Sequence, residues 1–193
     1  MIAIGVPVGK NHSIDVRTAA YISAEASRPG VGWGYVASRE CGVGRSTFIY
    51  NTLKDPAVTH VYCMDGDVVP PNGTLQRLLS YDLPIVAGIY SMCTNMPCWS
   101  FRTNGGWQSK AIPLPKKLME VSCIGGSTIL IKREVFEKIE RPWFKVEYKG
   151  IDEDGKFFDE AEDEYFSRIA QEAGYKLVID PTIICKHYNY REL

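Results

Sequence analysis

The first ninety residues alternate short apolar runs with segments of helical period, and that order leaves few folds open. Ile2 to Val8 is an apolar run ending in Pro7-Val8-Gly9 and reads as a buried strand followed by a turn. Residues 14 to 26 carry Ile14, Ala19, Ala20 and Ile22 among Ser and Glu, a helix that stops at Pro29-Gly30. Trp33 to Ala37 predicts a second strand, Arg45 to Leu53 a second helix ending before Pro56, and Val58 to Met64 a third strand. A helix with Leu75, Leu78 and Leu79 on one face follows Pro70-Pro71, and Pro84 to Tyr90 is a further strand. Strands separated by helices in this way build a parallel sheet covered on both faces. The expected class is α/β: one Rossmann-like domain with a mostly parallel central sheet flanked by helices.

The second half mixes strands with longer loops and predicts a small additional β region. Met119 to Cys123 and Ser127 to Ile131 read as strands, the latter behind Gly125-Gly126 and ahead of a helix bearing Val135, Phe136 and Ile139. Residues 141 to 160 are charged, glycine-containing and aromatic, an irregular stretch suited to a lid. A helix from Ala161 to Ala173 buries Tyr165, Phe166, Ile169, Ala170 and Ala173, with Gly174 as its cap. Leu177 to Ile179 and Thr182 to Cys185 are short final strands.

Charge narrows the function classes. Lys plus Arg number 22 and Asp plus Glu 23, for a net charge of -1, without the basic excess of a phosphate-coating nucleic-acid binder. No run approaches the ~18 apolar residues of a membrane span, and the N-terminus lacks a basic, then apolar, leader. A soluble, cytoplasmic protein is expected. The six cysteines then read as reduced packing thiols rather than three disulfides, and Cys93 with Cys98 has no second pair to complete a zinc site. GxGxxG and GxxxxGK[ST] are both absent, so a dinucleotide cofactor and a P-loop are not expected.

The chemistry concentrates at Asp65-Gly66-Asp67, directly after the apolar run 58–64. Ligands of open α/β sheets collect at the carboxyl ends of strands. Two carboxylates there, with a glycine between them, suit a hard divalent cation that shares its shell with phosphate oxygens. A solvated turn ahead of Pro70-Pro71 is the plainer alternative.

The surrounding order of motifs resembles the GT-A-fold glycosyltransferases, especially their family 2-like group. Val61 to Pro71, with its D-x-D, is followed by Asp82-Leu83-Pro84-Ile85-Val86-Ala87-Gly88-Ile89-Tyr90 and by Gly125-Gly126-Ser127-Thr128 leading into Val135-Phe136. Glu162-Asp163-Glu164-Tyr165-Phe166 is similar to the family's E-D-x-x-F helix, and Gly174-Tyr175, Asp180-Pro181 and His187 to its closing segment. The resemblance spans about residues 40 to 190. It implies one GT-A-like catalytic domain over residues 1–193, with nucleotide binding in about 1–90 and the acceptor side in about 91–193.

The same resemblance implies sugar transfer from a UDP- or GDP-sugar to an unidentified hydroxyl acceptor, with Mn²⁺ or Mg²⁺ as cofactor. Asp65, Asp67 and His187 are the implied metal ligands. Asp163 is the implied base, with Glu162 second to it. Pro7 and Val8, at the end of the first strand, together with Arg45 and Asp65, are the implied donor contacts. In the first turn of its helix Asp163 is expected to keep a low pKa and to act by positioning. Trp99, Phe101, Trp107 and Trp143 offer faces for sugar stacking or for packing under loops, while His12 and His60 read as structural or surface residues. The acceptor and the stereochemical course stay open. So do two rival classes, a nucleotidyltransferase acting on a sugar phosphate and a non-catalytic nucleotide-sugar-binding module.

Overall fold

The computed structural model describes residues 1–9, 13–92, 98–104, 106–151 and 153–188. His12 and Cys93 lie outside them. The first half follows the alternation of its sequence: β1 (Ile2–Val8), α1 (Val16–Ala26), β2 (Val31–Ala37), α2 (Cys41–Thr52), β3 (His60–Cys63), β4 (Val68–Val69), α3 (Thr74–Ser80) and β5 (Ile85–Tyr90). The second half adds β6 (Cys98–Thr103), β7 (Gly106–Ser109), β8 (Met119–Val121), β9 (Cys123–Ile124), β10 (Ile129–Lys132) and α4 (Arg133–Lys138). It closes with β11 (Glu147–Ile151), β12 (Phe157–Glu160), α5 (Glu162–Glu172) and β13 (Leu177–His187).

The central sheet has eight strands, in the order β2-β1-β3-β10-β5-β13-β4, with β8 also on β13. Strands β1, β2, β3, β5 and β13 run one way, while β10, β4 and β8 run against them. Because β10 enters antiparallel between β3 and β5, its N-terminal end lies at the edge where its neighbours have their C-terminal ends. One edge of the sheet therefore collects the residues after β1, β3, β5 and β13 and those before β10. That edge holds Asp65–Asp67, Gly125–Thr128 and His187, and Arg45 brings the start of α5 against it.

Continuous apolar runs are explained by burial on both faces. Val61, Cys63, Ile85, Ala87, Ile89, Ile129 and Ile131 pack under Ile49 of α2, Val135 and Phe136 of α4, and Phe166 and Ala170 of α5. Tyr62, Met64, Val86, Tyr90 and Leu130 face the other way, against Tyr21 and Ile22 of α1 and Leu75 and Leu78 of α3. Each fully buried aliphatic side chain contributes about 1.5–3 kcal/mol, so two filled layers hold the edge in place. Among the described residues no helix is long and apolar enough to cross a membrane.

Five segments differ from the sequence reading. Glu147–Ile151 and Phe157–Glu160 pair as antiparallel strands rather than forming an irregular stretch. Their Tyr148, Ile151 and Phe157 are exposed, Phe157 at 68%, so the strands lack the inward-outward alternation that marks a half-buried pair. Strands β6 and β7 form a second antiparallel pair, which joins β9 in a three-stranded sheet. Met119 to Cys123 splits between two sheets, β8 against β13 and β9 against β6. Helix α2 begins at Cys41 rather than Arg45, and Gly42, which weakens a helix in sequence, lies where a Cβ would sit 2.9 Å from Cβ of Glu162. The closing strands 177–179 and 182–185 are one strand, irregular between Ile179 and Ile184.

Candidate active site

Arg45 is the centre of the sheet edge. Its side chain is 3% exposed; one terminal nitrogen donates to Asp65, in the loop after β3, and Nη1 donates to Glu162 at 2.9 Å, at the start of α5. Burial works against its charge, but the two carboxylates outweigh that penalty and hold it firmly protonated. The guanidinium lies against the chain at Gly126, where an added Cβ would be 2.6 Å from three of its atoms. Gly125 gives the same clearance to the Tyr90 hydroxyl, 2.5 Å from a Cβ there. Ser127 then donates no support to Arg45 but accepts the Asp65 N–H on Oγ at 2.9 Å. Thr128 follows at φ 61°, an uncommon conformation for a β-branched residue, and swings the chain into β10.

The first turn of α5 carries three carboxylates in a row. Glu162 is paired with Arg45 and Glu164 with Arg102. Asp163, between them, has no ion pair among the described residues. Its Oδ1 accepts the Glu164 N–H at 2.9 Å. Burial, then the neighbouring Glu162 charge, push its pKa up to about 6 against the pull of Arg45. The expectation of a low pKa is thus corrected: desolvation outweighs the helix terminus.

On the other side of the edge, the segment Asp65–Asp67 is clamped from both flanks. Asp15 N–H, before α1, donates to Gly66 O at 2.7 Å, and Tyr188 N–H donates to Asp67 O at 2.9 Å. Pairing of β13 with β4 sets His187 opposite Val68. His187 Nε2 lies 3.4 Å from Asp67 Oδ2, and Nδ1 lies 2.9 Å from Ser91 O. A carbonyl can only accept, so Nδ1 carries the hydrogen, and Nε2 meets the carboxylate through a proton or a cation. The bond to Asp67, ahead of other causes, raises the pKa of His187. One carboxylate and one imidazole nitrogen oriented by a carbonyl fit a hard or borderline cation that completes its shell with water and phosphate oxygens. Among the described residues no three His, Cys, Asp or Glu side chains converge closely enough to hold a metal by themselves, since Asp65 is turned to Arg45.

Matched against solved structures, the chain superposes on A197 from STIV with a TM-score of 0.72 at 18% identity, over 98% of this chain and 86% of that one. It superposes on GalNAc-T7, in a structure with UDP, GalNAc and Mn²⁺, with a TM-score of 0.58 at 11% identity. The fold is GT-A-like. That match covers 100% of this chain and 44% of the GalNAc-T7 chain. No family model and no curated protein sequence matches the chain.

The GT-A-like edge thus brings Arg45, Asp65 and Glu162 into direct contact, and Asp67 into contact with His187. Pro7 and Val8 lie at the end of β1, buried beside β2, with Val8 O accepting the Ser38 N–H at 3.0 Å. No hydrogen bond or ion pair among the described residues joins them to the carboxylates. Phe101 and Trp143 are core residues, Trp143 donating from Nε1 to Phe136 O at 3.1 Å, and Trp107 lies under the Arg102 guanidinium at 4.4 Å. His60 is a strand-end residue hydrogen-bonded to Thr59 at 3.0 Å. The five described cysteines are free thiols, Cys41 exposed and the others buried.

Sequence reasoning missed Arg45 as the link between two carboxylate motifs, and missed the supports Ser91, Ser127 and Asp15. The signal for Arg45 was present in Gly126, whose missing side chain leaves the room it fills. The supports act through a backbone carbonyl, a hydroxyl and a backbone N–H, groups that every chain has in plenty.

Proposed function

We propose that this chain is a metal-dependent glycosyltransferase that moves a sugar from a UDP- or GDP-sugar to an acceptor hydroxyl. The observation that carries this reading is the contact of Arg45 with both Asp65 and Glu162, which unites the D-x-D segment and the E-D pair at one sheet edge. The likeness of fold to a structure containing UDP, GalNAc and Mn²⁺ supports it. Residues 1–90 then serve the donor nucleotide, with its base at Pro7 and Val8 and its ribose near Asp65, and residues 91–193 serve the acceptor.

Asp67 and His187 would hold Mn²⁺ or Mg²⁺, with Asp65 the third donor if it releases Arg45. When bound, the cation supplies positive charge that offsets the charge gathering on the departing diphosphate. Asp163 takes the proton of the acceptor hydroxyl, whose oxygen bonds to the anomeric carbon as the bond to the diphosphate oxygen breaks. The anomeric centre inverts in this single displacement. A carboxyl titrating near pH 6 is a better base than an ordinary carboxylate and is still ionised at neutral pH. Glu162, held by Arg45, fixes the start of α5 and so the position of Asp163.

Incubation with UDP- and GDP-sugars plus Mn²⁺, following nucleotide release, tests the reading. Metal-dependent turnover of one donor is expected, with a rate that rises through pH about 6 and levels above it, because Asp163 must lose its proton. Asp163→Asn retains donor binding and loses about 10²–10⁴-fold in transfer. Transfer that survives this change removes Asp163 as the base.

A further inference from the structure

Behind the acceptor side of the edge lies a groove of about 400 Å³, lined by Trp99, Lys110, Ile112, Leu114, Lys116 and Ile184 among prolines. Its walls are mostly apolar, and Ile112 and Ile184 are 55% and 48% exposed. Among the described residues the only charges lining it are two lysines. Lys110 Nζ lies 5.4 Å from the Trp99 ring and donates to the neutral Ser91 Oγ at 3.1 Å. Neither Lys110 nor Lys116 has a carboxylate partner among the described residues. The sequence agrees: between Asp82 and Glu120 the chain contains no acidic residue. The Trp99 indole N–H is buried with no hydrogen-bond partner among the described residues, a donor left over at the wall.

Ser91 joins this groove to the site. Its hydroxyl receives Lys110, its carbonyl receives His187 Nδ1 at 2.9 Å, and it bridges to Trp99. A ligand whose charged end reaches Lys110 is therefore one residue away from His187. Apolar walls, a tryptophan face and cations without counter-charges match a molecule of opposite character at its two ends.

We propose that the groove binds a molecule joining an apolar chain to one anionic group, and that this molecule is the acceptor. The acceptor role rests on the sugar-transfer reading; the binding does not. Calorimetric titration with decyl phosphate, decanol and inorganic phosphate, below the concentration at which decyl phosphate forms micelles, tests it. Decyl phosphate binds tighter than either of the other two, and octyl phosphate binds about tenfold weaker, from two fewer buried methylenes. Lys110→Ala weakens decyl phosphate about fivefold and leaves decanol unchanged. Ile184→Asp, at a half-exposed position of β13, abolishes binding while its thermal melt stays that of the unaltered chain.

Decyl phosphate that binds no tighter than inorganic phosphate overturns the proposal, as does binding untouched by both substitutions. UDP with Mn²⁺, titrated onto the same samples, separates the two readings. Nucleotide binding without decyl phosphate binding removes the groove and leaves sugar transfer standing. The opposite pattern removes the acceptor role and leaves an anionic, apolar ligand site.

Discussion

Helix α5 carries two arginine–carboxylate networks of similar geometry and opposite surroundings. At its first turn Glu162 meets Arg45, whose side chain is 3% exposed, and Arg45 also holds Asp65. Farther along, Arg168, 36% exposed, meets Glu160 at 2.9 Å, Glu172 at 3.1 Å and Glu147 at 3.2 Å, tying the β11–β12 pair to the helix. The distances alone do not rank them. Burial does: removing one member of a buried set leaves charge in a low-dielectric interior, whereas water takes over for a lost exposed partner. The surface network fastens a strand pair; the buried one fixes the geometry of the sheet edge.

Substitutions can break this contrast, beginning with the largest effect. Arg45→Ala strands Asp65 and Glu162 and should cost about 3–5 kcal/mol in urea unfolding. A loss below about 1 kcal/mol would place both networks in the same class. Gly126→Ala puts a Cβ 2.6 Å from the held guanidinium and should cost about 2 kcal/mol, with the same readout. Arg168→Ala should cost less than about 1 kcal/mol, and its effect should shrink further as salt is added.

Asp163, between the two arginine-held glutamates, sharpens the comparison in the opposite sense. Its folded-state pKa of about 6 lies above the ordinary 3.8, so between those pH values the folded chain holds a proton that the unfolded chain has released. Ionisation at this position therefore destabilises the fold as pH rises through that window. Asp163→Asn should raise stability by about 1 kcal/mol at pH 8, after allowing for its partial exposure, and by nothing measurable below about pH 4. Thermal melts across pH check this. A gain that is the same at pH 3 and pH 8 would mean that titration of Asp163 is not its cause.

The alternation that gave the α/β class was legible because apolar runs such as Ile2–Val8 and Ile85–Tyr90 are buried on both faces and read as uninterrupted strands. The antiparallel entry of β10 was not legible, since Ile129–Lys132 has the same apolar character as its parallel neighbours and direction leaves no mark on composition. The β11–β12 pair escaped notice for the converse reason, because exposed aromatics on its outward face hide the two-residue period. In the site, the carboxylates of the D-x-D and E-D segments announce themselves as charges at element ends. Their partnership through Arg45 does not, because it joins residues 20 and 117 positions away in the chain. The direction of the Asp163 shift was misjudged on helix position alone, since burial is a property of the fold and invisible to local spacing.

The claim that Asp67 belongs to a metal-assisted nucleotide-sugar site has one direct test. Calorimetric titration of UDP and GDP, with and without Mn²⁺, onto the unaltered chain and Asp67→Ala should show binding of one nucleotide that needs the metal and falls at least tenfold in the variant. Nucleotide binding that ignores both Mn²⁺ and Asp67, or no binding with any divalent cation, would contradict it.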